Sequence, residues 1–84
     1  MTDVEIFDRV KEILIGEFEV ENDLISQESN LYTDLELDSL DSVDLIVALE
    51  NEFSFKINRA EDEESLRALR SVADITRFIQ SKLA

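Results

Sequence analysis

The residues best suited to chemistry lie in one heptapeptide, Asp34-Leu35-Glu36-Leu37-Asp38-Ser39-Leu40, where a polar, weakly periodic stretch gives way to the most helix-favouring run of the chain. Its acids alternate with leucines in the manner of calcium-loop ligands. An EF-hand beginning at Asp34 would need glycine at its sixth position and glutamate at its twelfth, and this chain has Ser39 and Leu45 there. Ser39 is the remaining candidate. A resident serine nucleophile needs a base beside it, and the chain has no histidine; it has no cysteine either, which removes thiolate chemistry, thiolate metal sites and disulfides. No catalytic residue and no metal site are therefore expected. A serine at a helix N-terminus should point its hydroxyl outward, beside free backbone N–H groups and the positive end of the helix dipole, where a phosphodiester is well tolerated. An ordinary N-cap serine has the same signature, so the residues alone leave two readings: a cap, or a site modified by another enzyme.

The element that must position Ser39 is a helix over Ser39 to Phe53, capped by Asp38 or Ser39 and carrying acids in its first turn. At about 100° per residue, Ser42, Leu45, Ile46, Leu49 and Phe53 form a core-facing stripe, while Leu40, Val43 and Val47 form a second apolar stripe rotated away from it. Asp41, Asp44, Glu50 and Glu52 border both stripes, a pattern expected where an apolar patch meets a partner inside a charged rim. Burial of both stripes against neighbouring helices is the plainer alternative.

Upstream, Thr2-Asp3-Val4-Glu5 fits a capping box, and Ile6, Phe7, Val10, Ile13 and Leu14 recur at helical spacing, so a first helix is expected from about residue 3 to 16, with Gly16 near its end. Glu17 to Asp38 reads as a long ordered loop, because Ile25, Leu31 and Leu35 are spaced aliphatics suited to packing. Downstream, Asn58 to Arg70 is a charged, helix-favouring run whose main apolar contacts are Leu66 and Leu69. Ser71-Val72-Ala73-Asp74 then opens a last amphipathic helix through Ile75, Phe78, Ile79 and Leu83. With no proline, one glycine and 44% apolar residues, the expected fold is all-α. It is a small antiparallel four-helix bundle of three main helices and one short one, with the long loop between the first two, and residues 1–84 forming a single domain.

The charge is unevenly placed. Glu12 to Phe55 contains thirteen acids and no basic residue, and it carries the whole net charge of −13. Such a field repels nucleic acid and anionic membranes and speeds encounter with basic protein surfaces. No stretch approaches the roughly 20 apolar residues that span a bilayer, and the N-terminus has no basic region followed by an apolar run, so a cytoplasmic monomer without nucleic-acid or membrane partners is expected.

The chain resembles the acyl carrier protein family. Asp38-Ser39-Leu40 alone is a weak signal, but Ile25, Ser29, Leu31, Asp34 and Leu35 match the family's approach to the serine, and Asp41, Val43, Asp44, Leu45, Ala48, Leu49, Glu50, Glu52 and Phe53 match the helix after it. The likeness runs from Ile13-Leu14-Ile15-Gly16-Glu17 to Val72, Ile75, Phe78 and Ile79, nearly the whole chain. It implies a non-catalytic, free-standing carrier. A phosphopantetheinyl transferase would move 4′-phosphopantetheine from coenzyme A to Ser39, and the terminal thiol would carry acyl groups as thioesters in fatty-acid, polyketide or related pathways. It further implies that Asp38, Asp41, Asp44 and Glu50, with Leu40, Val43 and Val47, dock acyltransferases, ketosynthases or acyl-ligases bearing basic surfaces. Leu45, Ile46, Leu49 and Ile57 would line an acyl cavity.

Several positions depart from the family pattern. Glu36 replaces the glycine usual before the motif, which implies local strain if that position needs a positive φ. Asn51 stands where many relatives have an acid, the proline common after the second helix is missing, and Ile57 to Val72 is about one helical turn longer than usual, with Arg67 and Arg70 in the extra segment. These differences point to a specialised carrier. The alternatives are a D-alanyl or other aminoacyl or peptidyl carrier, which shares the arm, and an acidic interaction domain that is never modified.

Overall fold

A computed structural model describes residues 2–83, and of Ser39 and Arg59 the backbone alone. Among the described residues four helices follow in order: α1 (Asp3–Phe18), α2 (Ser39–Phe53), α3 (Arg59–Arg67) and α4 (Val72–Leu83). The α1–α2 connection holds one 3-10 turn at Asn22–Leu24, and among the described residues the only β-type pairing is an isolated bridge between Asn30 and Ser71. The fold is the small all-helical bundle expected from the sequence.

α1 starts where the capping box places it: the Thr2 side chain accepts from the Glu5 N–H at 3.2 Å, and the Glu5 carboxylate reaches back to Thr2. The Thr2 N–H bond is the main cause that holds the Glu5 carboxyl below its ordinary range. The helix passes Gly16 by two residues. It runs on to Phe18, whose ring packs against the core, and the left-handed cap residue is Glu19 at φ 56°. Ile6, Val10, Ile13 and Leu14 give α1 its buried face, which packs against α4 and α2.

The long loop is held by its own aliphatics and by α4. Ile25, Leu31 and Leu35 are buried as expected, and Val20 and Leu37 join them in the core. Leu31 N–H donates to Arg70 O at 2.8 Å, Val72 N–H to Ser29 O at 3.1 Å and Ala73 N–H to Gln27 O at 2.9 Å. The loop is therefore stitched along the start of α4. There Ser71 and Asp74 cap each other's backbone N–H groups. Partial burial works against the Asp74 carboxylate, but N–H donors from Arg70 and Ser71 and the contact with Arg77 bring its pKa below the ordinary value.

α3 is the least apolar helix, and it is fixed largely by polar contacts. Asn58 caps it by accepting from Ala60 and Glu61 N–H, and the Asp62 carboxylate accepts from Asn58 N–H at 3.0 Å. The same carboxylate meets Lys82 Nζ of α4 at 2.6 Å, and that ammonium lies 5.9 Å from the centre of the Phe78 ring. The charge-assisted bond to Lys82 is the main cause that holds the Asp62 carboxyl below its usual range.

Candidate functional site

Ser39 is the first residue of α2, and the cap is Asp38 rather than the serine itself. One Asp38 oxygen accepts from both Leu40 N–H and Asp41 N–H at 2.9 Å, and the Asp41 carboxylate returns to Asp38 N–H at 3.2 Å. This corrects one expectation. The first-turn amides of Leu40 and Asp41 are not free for a phosphodiester, because a carboxylate one residue upstream already satisfies them. What the helix start offers an anion at position 39 is the dipole, set against the negative charge of Asp38. A phosphodiester attached there fits as a group projecting into solvent, since both chain neighbours, Asp38 and Leu40, are exposed. The direction of the Ser39 hydroxyl lies outside what the structure describes.

Glu36 is in the left-handed region at φ 57°, so the position usually held by glycine does need a positive φ and this chain meets the need with a glutamate. The bend lets Leu37 N–H reach Leu31 O at 3.0 Å while Leu35 N–H reaches Asn30 O at 3.1 Å, and both leucines are buried. Glu36 thereby turns the loop into α2 and fixes where Asp38 and Ser39 stand.

Along α2 the two apolar stripes separate. Leu45, Leu49 and Phe53 are in the core, with Leu49 only 1% exposed, whereas Leu40, Val43 and Val47 are 75%, 41% and 45% exposed. Ser42 and Ile46 are half-buried, as is Ile57 beyond the helix. The acids around the outer stripe are not equivalent. Asp38 and Asp41 are engaged in capping, and Glu50 is turned towards the chain after α2, where it accepts from Ile57 N–H at 2.9 Å. Asp44 is exposed and borders an open cleft of about 360 Å³ between α1 and α2, lined also by Glu17, Phe18, Val47, Ala48 and Asn51. Glu17 and Phe18 were not among the residues expected at this surface, because nothing local in the sequence tells which loop-proximal α1 residues lie beside α2. Among the described residues no group of acids is arranged to hold a metal ion.

One further residue stands at this end of α2 that spacing did not single out. Tyr32, the only tyrosine in the chain, reaches from the loop so that its hydroxyl lies 3.3 Å from Ser42 Oγ. The signal available in the sequence was a lone aromatic ring in a polar stretch seven residues before Ser39.

Residues 8–79 match the family model described as the phosphopantetheine attachment site. The acyl carrier protein of Thermosynechococcus vestitus is 40% identical over 84 residues, covering 100% of this chain and 99% of that one. That of Lactobacillus acidophilus is 36% identical over 81 residues, 96% of each chain, and that of Thermotoga maritima 38% over 79 residues, 94% and 93%. The chain belongs to the acyl carrier protein family, whose members are non-catalytic carriers built around a phosphopantetheine attachment site. No helix among the described residues is long and apolar enough to cross a membrane.

Proposed function

We propose that residues 1–84 act as one carrier domain in which Ser39 bears 4′-phosphopantetheine, transferred from coenzyme A by a phosphopantetheinyl transferase. The arm supplies a thiol that this cysteine-free chain lacks, and with it the capacity to carry acyl groups as thioesters between enzymes of fatty-acid, polyketide or related pathways. The observation that carries the reading is the place of Ser39: the first residue of α2, between exposed neighbours, within the matched residues. Asp38 holds that helix start in shape, and Glu36 sets the direction of the chain entering it.

The exposed stripe of Leu40, Val43 and Val47, with Asp38, Asp41, Asp44 and Glu50, is proposed to dock acyltransferases, ketosynthases or acyl-ligases through their basic surfaces. Leu45, Ile46, Leu49 and Ile57 are proposed to border the space taken by the acyl chain. Their support is that all four are aliphatic, Leu45 and Leu49 in the core and Ile46 and Ile57 half-buried. The left-handed Glu36, Asn51 and the longer segment 58–70 favour a specialised carrier. The net charge of −13 favours a monomer, and partners that draw on coenzyme A suit a cytoplasmic setting.

The test is incubation with coenzyme A, magnesium and a broad-specificity phosphopantetheinyl transferase, followed by intact-mass spectrometry. A gain of one phosphopantetheine that disappears in Ser39→Ala is expected. Equal modification of the alanine variant, or none of the native chain, overturns the proposal.

A further inference from the structure

We infer that Tyr32 is a resting platform for the pantetheine part of the arm, holding it on the side of α2 away from the docking stripe. The inference rests on the proposed attachment at Ser39. Around α2, Leu40, Val43 and Val47 are turned by about 40–100° to one side of position 39, and Ser42 and Ile46 by about 20–60° to the other. Position 39 thus lies on the border between a surface offered to partners and a flank that meets the loop. An arm lying over the first side would cover Leu40 and Val43. An arm lying over the second meets Tyr32.

The tyrosine is fixed in place from both ends. Its backbone N–H and that of Thr33 donate to Asn30 Oδ1 at 2.9 and 3.0 Å, and the preceding Leu31 is buried and bonded to Arg70 O. At the other end, Ser42 Oγ donates to Asp38 O at 3.2 Å, so its one hydrogen is in use and the Tyr32 hydroxyl is the donor in their 3.3 Å contact. Ser42 is one helical turn from position 39, about 4.5 Å along the axis. The phenol therefore anchors an aromatic ring beside the attachment turn, and the residue keeps 38% of its surface exposed. Pantetheine has a dimethyl-substituted carbon and two amides, the mixture of apolar and polar groups that an anchored phenol can cover. Resting on a ring already held at its hydroxyl costs less ordering than resting on a freely rotating one.

The measurement is made on the full chain before and after modification, with mass spectrometry confirming the state. In the holo protein, nuclear Overhauser contacts are expected between the Tyr32 ring protons and the arm's paired methyl groups. Those methyls should resonate upfield of their positions in free phosphopantetheine. In Tyr32→Ala, modified to the same mass, the upfield shift should be lost. A native holo protein with no such contacts, or methyl resonances identical in the native and Tyr32→Ala proteins, overturns the inference and leaves the carrier reading standing. A native chain that gains no mass at all overturns both. The native measurement does not depend on the folding of any variant.

Discussion

Glu36→Gly is expected to stabilise this protein, although it removes a side chain three residues before Ser39, the proposed attachment residue. The residue sits at φ 57°, and the left-handed region costs an L-residue about 1–2 kcal/mol through the close approach of Cβ to the following carbonyl oxygen. Glycine escapes that cost but loses about 0.5–1 kcal/mol more chain entropy on folding. The exposed Glu36 side chain accepts none of the hydrogen bonds described, and the turn it makes is closed by backbone bonds from Leu35 and Leu37 that glycine preserves. The net expectation is a gain of about 1 kcal/mol, which in a domain of this size raises Tm by about 4–8 °C. The assay is thermal unfolding followed by circular dichroism at one ionic strength. Glu36→Ala is the necessary control, because it too removes a negative charge from a strongly acidic region but keeps Cβ in the left-handed conformation. It should shift Tm much less. If alanine stabilises as much as glycine, the gain comes from relieved charge repulsion and the backbone argument is refuted. A fall in Tm for glycine refutes it more directly. Phosphopantetheinylation of Glu36→Gly should match the native rate, since the path into Ser39 is unchanged.

Leu49→Ala should cost about 2–5 kcal/mol, the range for large core truncations, while Val43→Ala and Val47→Ala, more than two-fifths exposed, should each cost about 1 kcal/mol or less; denaturant midpoints compare them. Equal losses would mean that the outer stripe is buried in solution. Asp44→Lys should slow transferase modification far more at low salt than at high salt with an unaltered melting curve, because Asp44 is exposed. Asp41→Lys should do the same and also lower Tm, since it breaks the bond to Asp38 N–H. Asp62→Asn should destabilise at neutral pH, with α3 loosened first in amide exchange. A lowered folded-state pKa contributes stability in full above the unfolded value of about 3.9 and loses it as pH falls through the folded value. The gap between native and variant Tm should therefore close on acidification; a gap constant down to pH 3 would remove the ionised pair as its cause.

How far the fold could be read beforehand depended on how local each cause was. α2 was legible to the residue because Asp38 and Asp41 cap it and dense aliphatics fill it. α1 overran the glycine because a half-buried Phe18 gains contact with the core, and Glu19 accepts the left-handed cap instead. Periodicity placed two apolar stripes on α2 and left open that both were buried; the exposure of Leu40, Val43 and Val47 is seen only in the fold. The side-chain choices around them did not follow from periodicity: Glu50 turns to Ile57 N–H and Asp38 claims two amides, and spacing gives a position but no rotamer. Tyr32 was hidden for a longer-range reason. Its orientation depends on Leu31 bonding to Arg70, nearly forty residues away in sequence.

The acids of the proposed docking face do two kinds of work, and the difference bears on how partners would meet it. Asp38 and Asp41 are locked by reciprocal capping, and Glu50 by Ile57 N–H, so their charges stand at fixed points before any partner arrives. A flexible surface acid loses conformational freedom when an opposing lysine or arginine immobilises it, and that loss cancels much of the gain from an exposed ion pair. An acid already held by the backbone has less freedom left to lose. Its remaining lone pairs can meet a basic group with the ordering cost already borne by folding. The hydrogen bonds that start α2 and tie its end to the chain beyond it thus pre-arrange the field around Leu40, Val43 and Val47. Asp44 and Glu17, exposed at the α1–α2 cleft, are left to adjust to the partner. On this reading the proposed docking face has fixed charges at the first turn of α2, Asp38 and Asp41, and near the end of the helix, Glu50, with an adaptable one between them at Asp44 and another across the cleft at Glu17. Enzymes that shared such a carrier would then agree in their contacts to Asp38, Asp41 and Glu50 and differ in their contacts to Asp44 and Glu17.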